Sequence, residues 1–141
     1  AVASLQPMAA EKEITIFEDT QKPFIVRADP FLIGQAVKNV VTNAIKYSGS
    51  GRSVYIRVTG DGTMVKLFVT DEGIGFDPAD SSRITERFTT MTRTGTIGEA
   101  TNGLGLSIVK RIAERCSGSL TAYSEGIGKG ATFTLTLPAV T

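Results

Sequence analysis

Histidine is absent from this chain of 141 residues. That excludes Ser-His-Asp triads, histidine acid–base catalysis and histidine metal ligation within the chain. Cysteine occurs once, at Cys116, so no internal disulfide can form, which fits a reducing compartment. No apolar run approaches the roughly 20 residues of a membrane span, and no signal peptide is visible. Neither sign of charge is in excess: 15 Lys and Arg stand against 14 Asp and Glu, a net +1 with the signs interspersed. That balance gives no support to a nucleic-acid or membrane-surface reading, which needs a basic patch. An initiating methionine is also missing. The chain starts at Ala1 and is expected to be a piece of a longer protein.

What is present is an ordinary globular composition, 41% hydrophobic and 21% charged, at a length that suits one domain. Glycine stands out. There are 15, many of them between positions 73 and 130, and clustered glycine marks backbone that must approach something closely.

Periodicity divides the chain. Val2, Leu5, Met8 and Ala9 have helical spacing and predict a short entering helix. "EITIF" (13–17) and "PFIVRAD" (23–29) read as short strands. Asp29-Pro30 is a helix-start signal, and the helix runs to about Tyr47 on a stripe of Ile33, Ala36, Val37, Val40, Val41 and Ala44. "SVYIRVT" (53–59) and "TMVKLFVTD" (63–71) alternate around Gly60-Asp61-Gly62, which predicts a hairpin. "SSRITERF" (81–88) suits a short helix, whereas residues 89–102 show no hydrophobic period. A loop that long in a compact domain is usually functional. "GLGLSIVKRIAERC" (103–116) predicts a helix with Ile108, Val109, Ile112, Ala113 and Cys116 facing in, and residues 119–125 and 130–138 read as strands. The expected class is α+β, a two-layer sandwich. A mixed, mostly antiparallel sheet is covered on one face by about three helices.

Four stretches carry candidate chemistry. The helix ending in "NVVTNAIKYS" places Gln35, Asn39, Asn43, Lys46 and Tyr47 on one side, away from the apolar stripe. Exposed polar residues on such a helix need no function. Even so, an amide oxygen suits Mg²⁺, a lysine meets phosphate as a point charge, and a tyrosine ring offers a base a flat surface. In "DEGIGFD", Asp71 closes a strand before Gly73 and Gly75. A carboxylate accepts from an exocyclic amine, and glycines let backbone lie against a ring; the plainer reading is a tight turn. In "NGLGLS", Gly103 and Gly105 sit where loop becomes helix, an anion-binding junction if it is more than a flexible one. "GKGATFTLTLP" places Gly128 and Gly130 before a strand carrying Thr132. Neither the P-loop nor the dinucleotide fingerprint is present.

The order of these pieces is more specific than any one of them. Asn-x-x-x-Asn-Ala-x-Lys-Tyr-Ser, Asp-x-Gly-x-Gly, "ERF", Gly-Leu-Gly-Leu-Ser-Ile-Val-Lys and Gly-x-Gly-x-Thr-Phe follow one another across nearly the whole chain. The series resembles the catalytic ATP-binding domain of sensor histidine kinases, members of the GHKL superfamily with gyrase and heat-shock chaperone ATPases. Residues 1–12 look like the lead-in from a dimerisation domain, and 13–141 like the catalytic domain. The resemblance implies ATP and Mg²⁺ as ligands, with Asn43 on the metal and Asn39 helping with metal or phosphates. It places Lys46 on phosphate, Tyr47 near the adenine, and Asp71 on the adenine amine in a pocket shaped by Gly73 and Gly75. Phe88 would be the F-box aromatic, with Arg87 reaching the terminal phosphate. Residues 89–102 would form a lid. Gly103, Leu104 and Gly105 would cradle phosphates, and Thr132 would support the adenine end. The implied partners are a histidine-bearing dimerisation domain and a downstream response regulator. The implied location is cytoplasmic, with no nucleic acid and no membrane contact by this segment. Two departures stand out: Thr101-Asn102 where the family's lid has a further glycine, and Cys116-Ser117 where it usually has His-Gly.

Asn39 bears on the type of reaction. Hydrolysing relatives carry a water-activating glutamate there, and an amide takes no proton at neutral pH. With no histidine in the chain, the expectation is transfer of the γ-phosphoryl group to a histidine elsewhere, through positioning and charge stabilisation. The rivals are a serine kinase or anti-sigma factor, which usually keeps the glutamate, a nucleotide-binding regulatory module without transfer, and a ligand-free α/β domain.

Overall fold

The computed structural model describes residues 6–11, 13–19, 26, 30–49, 51–80 and 103–139. Its helices are α1 (Gln6–Glu11), α2 (Pro30–Tyr47) and α3 (Gly103–Arg115), and its strands are β1 (Thr15–Asp19), β2 (Ser53–Gly60), β3 (Met64–Asp71), β4 (Ser119–Tyr123) and β5 (Ala131–Pro138). A short 3-10 turn, Pro78–Asp80, follows the glycine loop after β3. The strands form one five-stranded sheet in the order β1-β2-β3-β5-β4. β1 runs parallel to β2 and every other neighbour is antiparallel.

The pleat sorts the side chains. On β5, Ala131, Phe133, Leu135 and Leu137 are buried while Thr132, Thr134 and Thr136 are only half-buried. Val54 and Ile56 on β2 and Val65, Val69 and Asp71 on β3 are buried in the same alternation. α2 and α3 pack against each other and over this buried face. Val40, Val41, Ala44, Val109, Ile112 and Ala113 meet Val69 and Phe133 in one core. The expected mixed sheet with helices on one face is therefore the observed architecture. The short helix expected over 81–88 lies outside the described residues. So does most of the strand expected over 23–29, of which Val26 forms a single antiparallel bridge to Ala139.

Local chemistry sets the element ends. α2 begins at Pro30, where the missing N–H is not needed, and stops before Gly49 and the left-handed Gly51 (φ 79°). The β2–β3 hairpin turns at Asp61, whose Oδ1 accepts from the Thr63 and Met64 N–H groups at 2.9 and 2.8 Å and from the Thr63 hydroxyl at 2.8 Å. β1 starts at Thr15 and not at Glu13, because Glu13 has φ 59° and belongs to the turn leaving α1. α3 ends in a Schellman motif: Gly118 N–H donates to Ala113 O at 2.8 Å and Ser117 N–H to Glu114 O at 3.1 Å, with Ser117 at φ 61°.

One expected core position is wrong. Ile108 is 41% exposed, and Leu106 takes part in the buried stripe with Val109, Ile112 and Ala113. At 100° per residue Ile108 lies about 100° from the centre of that stripe, past its edge. Cys116 is half-buried against the core, as its helical phase suggests.

Candidate functional site

The site is built where three chain segments meet at the end of β3. Asp71 is the last residue of that strand and 2% exposed. Its Oδ1 accepts from the Gly73 N–H at 3.0 Å, closing a tight local turn, and from the Ala131 N–H of β5 at 3.1 Å. A carboxylate oxygen held by two backbone donors has one orientation.

The loop after Asp71 is pinned to the end of α2. Ile74 N–H donates to the Tyr47 carbonyl at 3.2 Å, and Ser48 and Gly73 form an isolated bridge. A side chain at Gly73 would overlap that carbonyl, so the approach requires glycine. Asn43 lies four residues before Tyr47 on the same helix, about 6 Å along its axis, and Asn39 precedes it by one further turn. Both asparagines are half-buried, and the buried Asn43 Nδ2 has no hydrogen-bond partner among the described residues. Lys46 is half-buried beside them, and the Tyr47 ring is buried.

The third segment is the turn between β4 and β5. Gly128 N–H donates to Ile74 O at 2.7 Å and Gly130 N–H to Gly73 O at 3.1 Å. Gly75 is left-handed at φ 62°, and a Cβ there would overlap the Gly126 carbonyl and come within 2.8 Å of the Ser124 hydroxyl. Ser124 itself is 1% exposed and bonds to both sides of this junction. Sequence reasoning missed it: a serine just past a strand end carries no motif, and only its burial and its partners mark it.

The structure therefore joins Tyr47, Asp71, Gly73, Gly75 and the 124–131 turn, with Asn39, Asn43 and Lys46 on the helix that ends there. Gly103, Leu104 and Gly105 form the first turn of α3, the helix packed beside α2. Arg87, Phe88 and residues 89–102 lie outside the described residues. Thr132 does not join the group. It pairs with Thr70 in the β3–β5 register, with their hydroxyls 3.0 Å apart. Successive side chains on a strand point to opposite faces, so Thr70 and Thr132 share the face away from Asp71. Ala131 is the residue opposite Asp71.

Residues 28–141 match the family described as histidine kinase-, DNA gyrase B- and HSP90-like ATPases. The sensor-like histidine kinase SenX3 of Mycolicibacterium smegmatis is 36% identical over 138 residues, which are 98% of this chain and 36% of that protein. The chain thus spans little more than a third of that relative's length. Among solved structures, the mycobacterial sensor histidine kinase MprB superposes with a TM-score of 0.81 at 28% identity, covering 98% of this chain and 91% of that one. Full-length ShkA in complex with AMPPNP gives 0.81 at 31% identity, covering 99% of this chain and 28% of that one. With a sheet, a glycine-lined bend and an asparagine-bearing helix of the expected kind, this chain belongs to the histidine kinase-, gyrase B- and HSP90-like ATPases, among the catalytic ATP-binding domains of sensor histidine kinases.

Proposed function

We propose that this chain binds Mg-ATP and presents the γ-phosphoryl group to a histidine on a separate domain of its parent protein, in two-component signalling. One observation carries the reading: a buried carboxylate at a strand end, fixed by the Gly73 and Ala131 N–H groups and backed by glycines that cannot carry side chains. Asp71 in that setting accepts the adenine amine, whereas guanine presents a carbonyl at the same place and is rejected. That ShkA, a structural relative, forms a complex with AMPPNP supports a nucleotide as the ligand.

The donor set suits magnesium. Among the described residues no group of three or more His, Cys, Asp or Glu side chains is placed to hold a metal. A magnesium ion here would draw most of its ligands from phosphate oxygens and water. Asn43, with Asn39 one turn before it, supplies neutral amide oxygens. The buried Nδ2 of Asn43, unpartnered among the described residues, is a donor suited to a phosphate oxygen rather than to the metal. When bound, magnesium neutralises phosphate charge during transfer. Lys46 would add a point charge, and Gly103, Leu104 and Gly105 would offer N–H groups at the start of α3; the resemblance assigns Arg87 to the terminal phosphate and Phe88 and residues 89–102 to the lid.

Water is poorly activated at this site. Asn39 stands where hydrolysing relatives carry glutamate, and no histidine exists in the sequence. The acceptor imidazole must come from outside. Its nitrogen forms the new P–N bond as the P–O bond to ADP breaks, with Asn39, and Arg87 as the resemblance assigns it, as the residues that would position the phosphates. Residues 1–12 would lead in from the acceptor-bearing domain, and a response regulator would take the phosphoryl group onward.

The test mixes this chain with labelled ATP, Mg²⁺ and the dimerisation domain of the parent. The expected product is acid-labile label on a histidine of the acceptor. Asn43→Ala should lower Mg-dependent ATP affinity at least about tenfold, the scale of one lost contact to a charged ligand. ATP binding without any label on the acceptor would leave a nucleotide-binding regulatory module.

A further inference from the structure

Ser124 is a buried hydroxyl that no step above uses, yet it touches both halves of the bend around Asp71. The Phe76 N–H donates to its Oγ at 3.1 Å and the Gly126 N–H at 3.2 Å. Its own proton goes to the Gly130 carbonyl at 2.7 Å, with the Gly126 carbonyl at 3.0 Å as the second acceptor in range. A hydroxyl has one proton and two lone pairs, so all of its capacity is spent here. Phe76 ends the glycine loop that starts at Gly73, and its ring lies 6.5 Å from that of Phe133 in the core. Gly130 faces the other way: its N–H holds Gly73 O, and the next N–H, that of Ala131, holds Asp71 Oδ1. A short bonded path thus runs from Phe76 through Ser124, Gly130 and Ala131 to the Asp71 carboxylate.

Ser124 adds its side-chain bonds to a junction that the Gly128 N–H to Ile74 O and Gly130 N–H to Gly73 O bonds also join. Gly75, Gly126, Gly128 and Gly130 all have positive φ and carry no side chains that might brace the turn. Without that side-chain clamp, the three glycines of the 126–130 turn widen the range of backbone conformations open to it. We propose that Ser124 is a positioning residue that sets purine discrimination. By tightening the 126–130 turn onto the 73–76 loop beyond what those backbone bonds do, it helps hold Ala131 N–H against Asp71 and so sets the angle at which the carboxylate meets the base. This rests on the ATP-binding reading above and deepens it. A loosened carboxylate still carries its charge, but it can tilt to accommodate a guanine edge. Loss of Ser124 should therefore affect selectivity more than phosphate binding.

The experiment measures ATP and GTP affinities by calorimetry for the 141-residue chain and its Ser124→Ala, Ser124→Cys and Asp71→Asn forms. Circular dichroism melting checks that each form folds. In the unmodified chain ATP should bind in preference to GTP, and Asp71→Asn should abolish the preference. Ser124→Ala should lower the ATP-to-GTP affinity ratio by about tenfold, the effect of one to two lost hydrogen bonds. Ser124→Cys keeps the volume but bonds weakly, so it should do the same; it carries the test alone if Ser124→Ala does not fold. Folded Ser124 variants that keep the original ratio, or that lose ATP and GTP affinity equally, overturn the proposal. If the unmodified chain shows no ATP preference and Asp71→Asn changes nothing, the adenine-site reading itself falls, and this inference with it.

Discussion

Ser117 adopts a backbone conformation that suits another residue. It sits at φ 61° in the C′ position of the α3 Schellman motif, where a side chain is crowded by its own backbone. Left-handed backbone costs a non-glycine residue about 1 kcal/mol. Ser117→Gly should therefore stabilise the chain by roughly that amount, a rise in Tm of about 3 °C by circular dichroism. The left-handed cap accounts for the glycine the family usually has at this place; nothing in the structure explains the serine. Other single residues were harder to read. Thr132 follows two glycines and reads as a pocket hydroxyl, but the β3–β5 register gives that place to Ala131. A one-residue shift in register reverses every face, and nothing in the strand's own letters specifies it. Ser124 was illegible for a related reason: its importance lies in bonds to Phe76 and Gly130, 48 and 6 positions away.

Elements were legible where one period ran uninterrupted. α2, β2, β3, α3 and β5 all lie within a few residues of their expected bounds, because each buries a single stripe or face. β1 was displaced because its boundary depends on the left-handed Glu13 and not on alternation. Two predictions belong to this scale. In the β2–β3 hairpin, the N–H groups of Met64 and then Thr63, followed by the Thr63 hydroxyl, hold the Asp61 carboxyl down to about 2 from its ordinary 3.8. A depressed carboxyl stabilises the fold fully above its unfolded pKa and loses that contribution as pH falls through the folded one. Asp61→Ala should thus melt below the unmodified chain at neutral pH, and the gap should narrow between pH 3.8 and about 2. Melting curves at stepped pH check this, and a gap that stays constant would contradict it. At the junction of α2 and the glycine loop, Gly73→Ala drives a methyl group into the Tyr47 carbonyl. The carbonyl is backbone and cannot rotate away, so the loop must move. We expect a loss of about 1–3 kcal/mol in stability, together with loss of ATP binding in a calorimetric titration.

For the whole molecule, α1 is part of the core. Ala9 on α1 is fully buried in the same cluster as Val40 and Phe133, and its carbonyl takes the Ile14 N–H at 2.8 Å. Removing residues 1–12 should lower stability by about 1–2 kcal/mol, from one exposed core position and lost backbone bonds at the start of β1. A melting temperature unchanged by the deletion would show that the helix is dispensable.

The sheet's outline has a separate consequence. Its two outer strands, β1 and β4, have five residues each, while the three between them have eight. β1 also ends in Glu18 and Asp19, both exposed. Short, acid-tipped margins give a neighbouring chain little unpaired backbone on which to add a strand. Copies of this domain crowded together should therefore resist fibrous self-association, even though the sheet's outer face exposes the stacked rings of Phe17 and Tyr55.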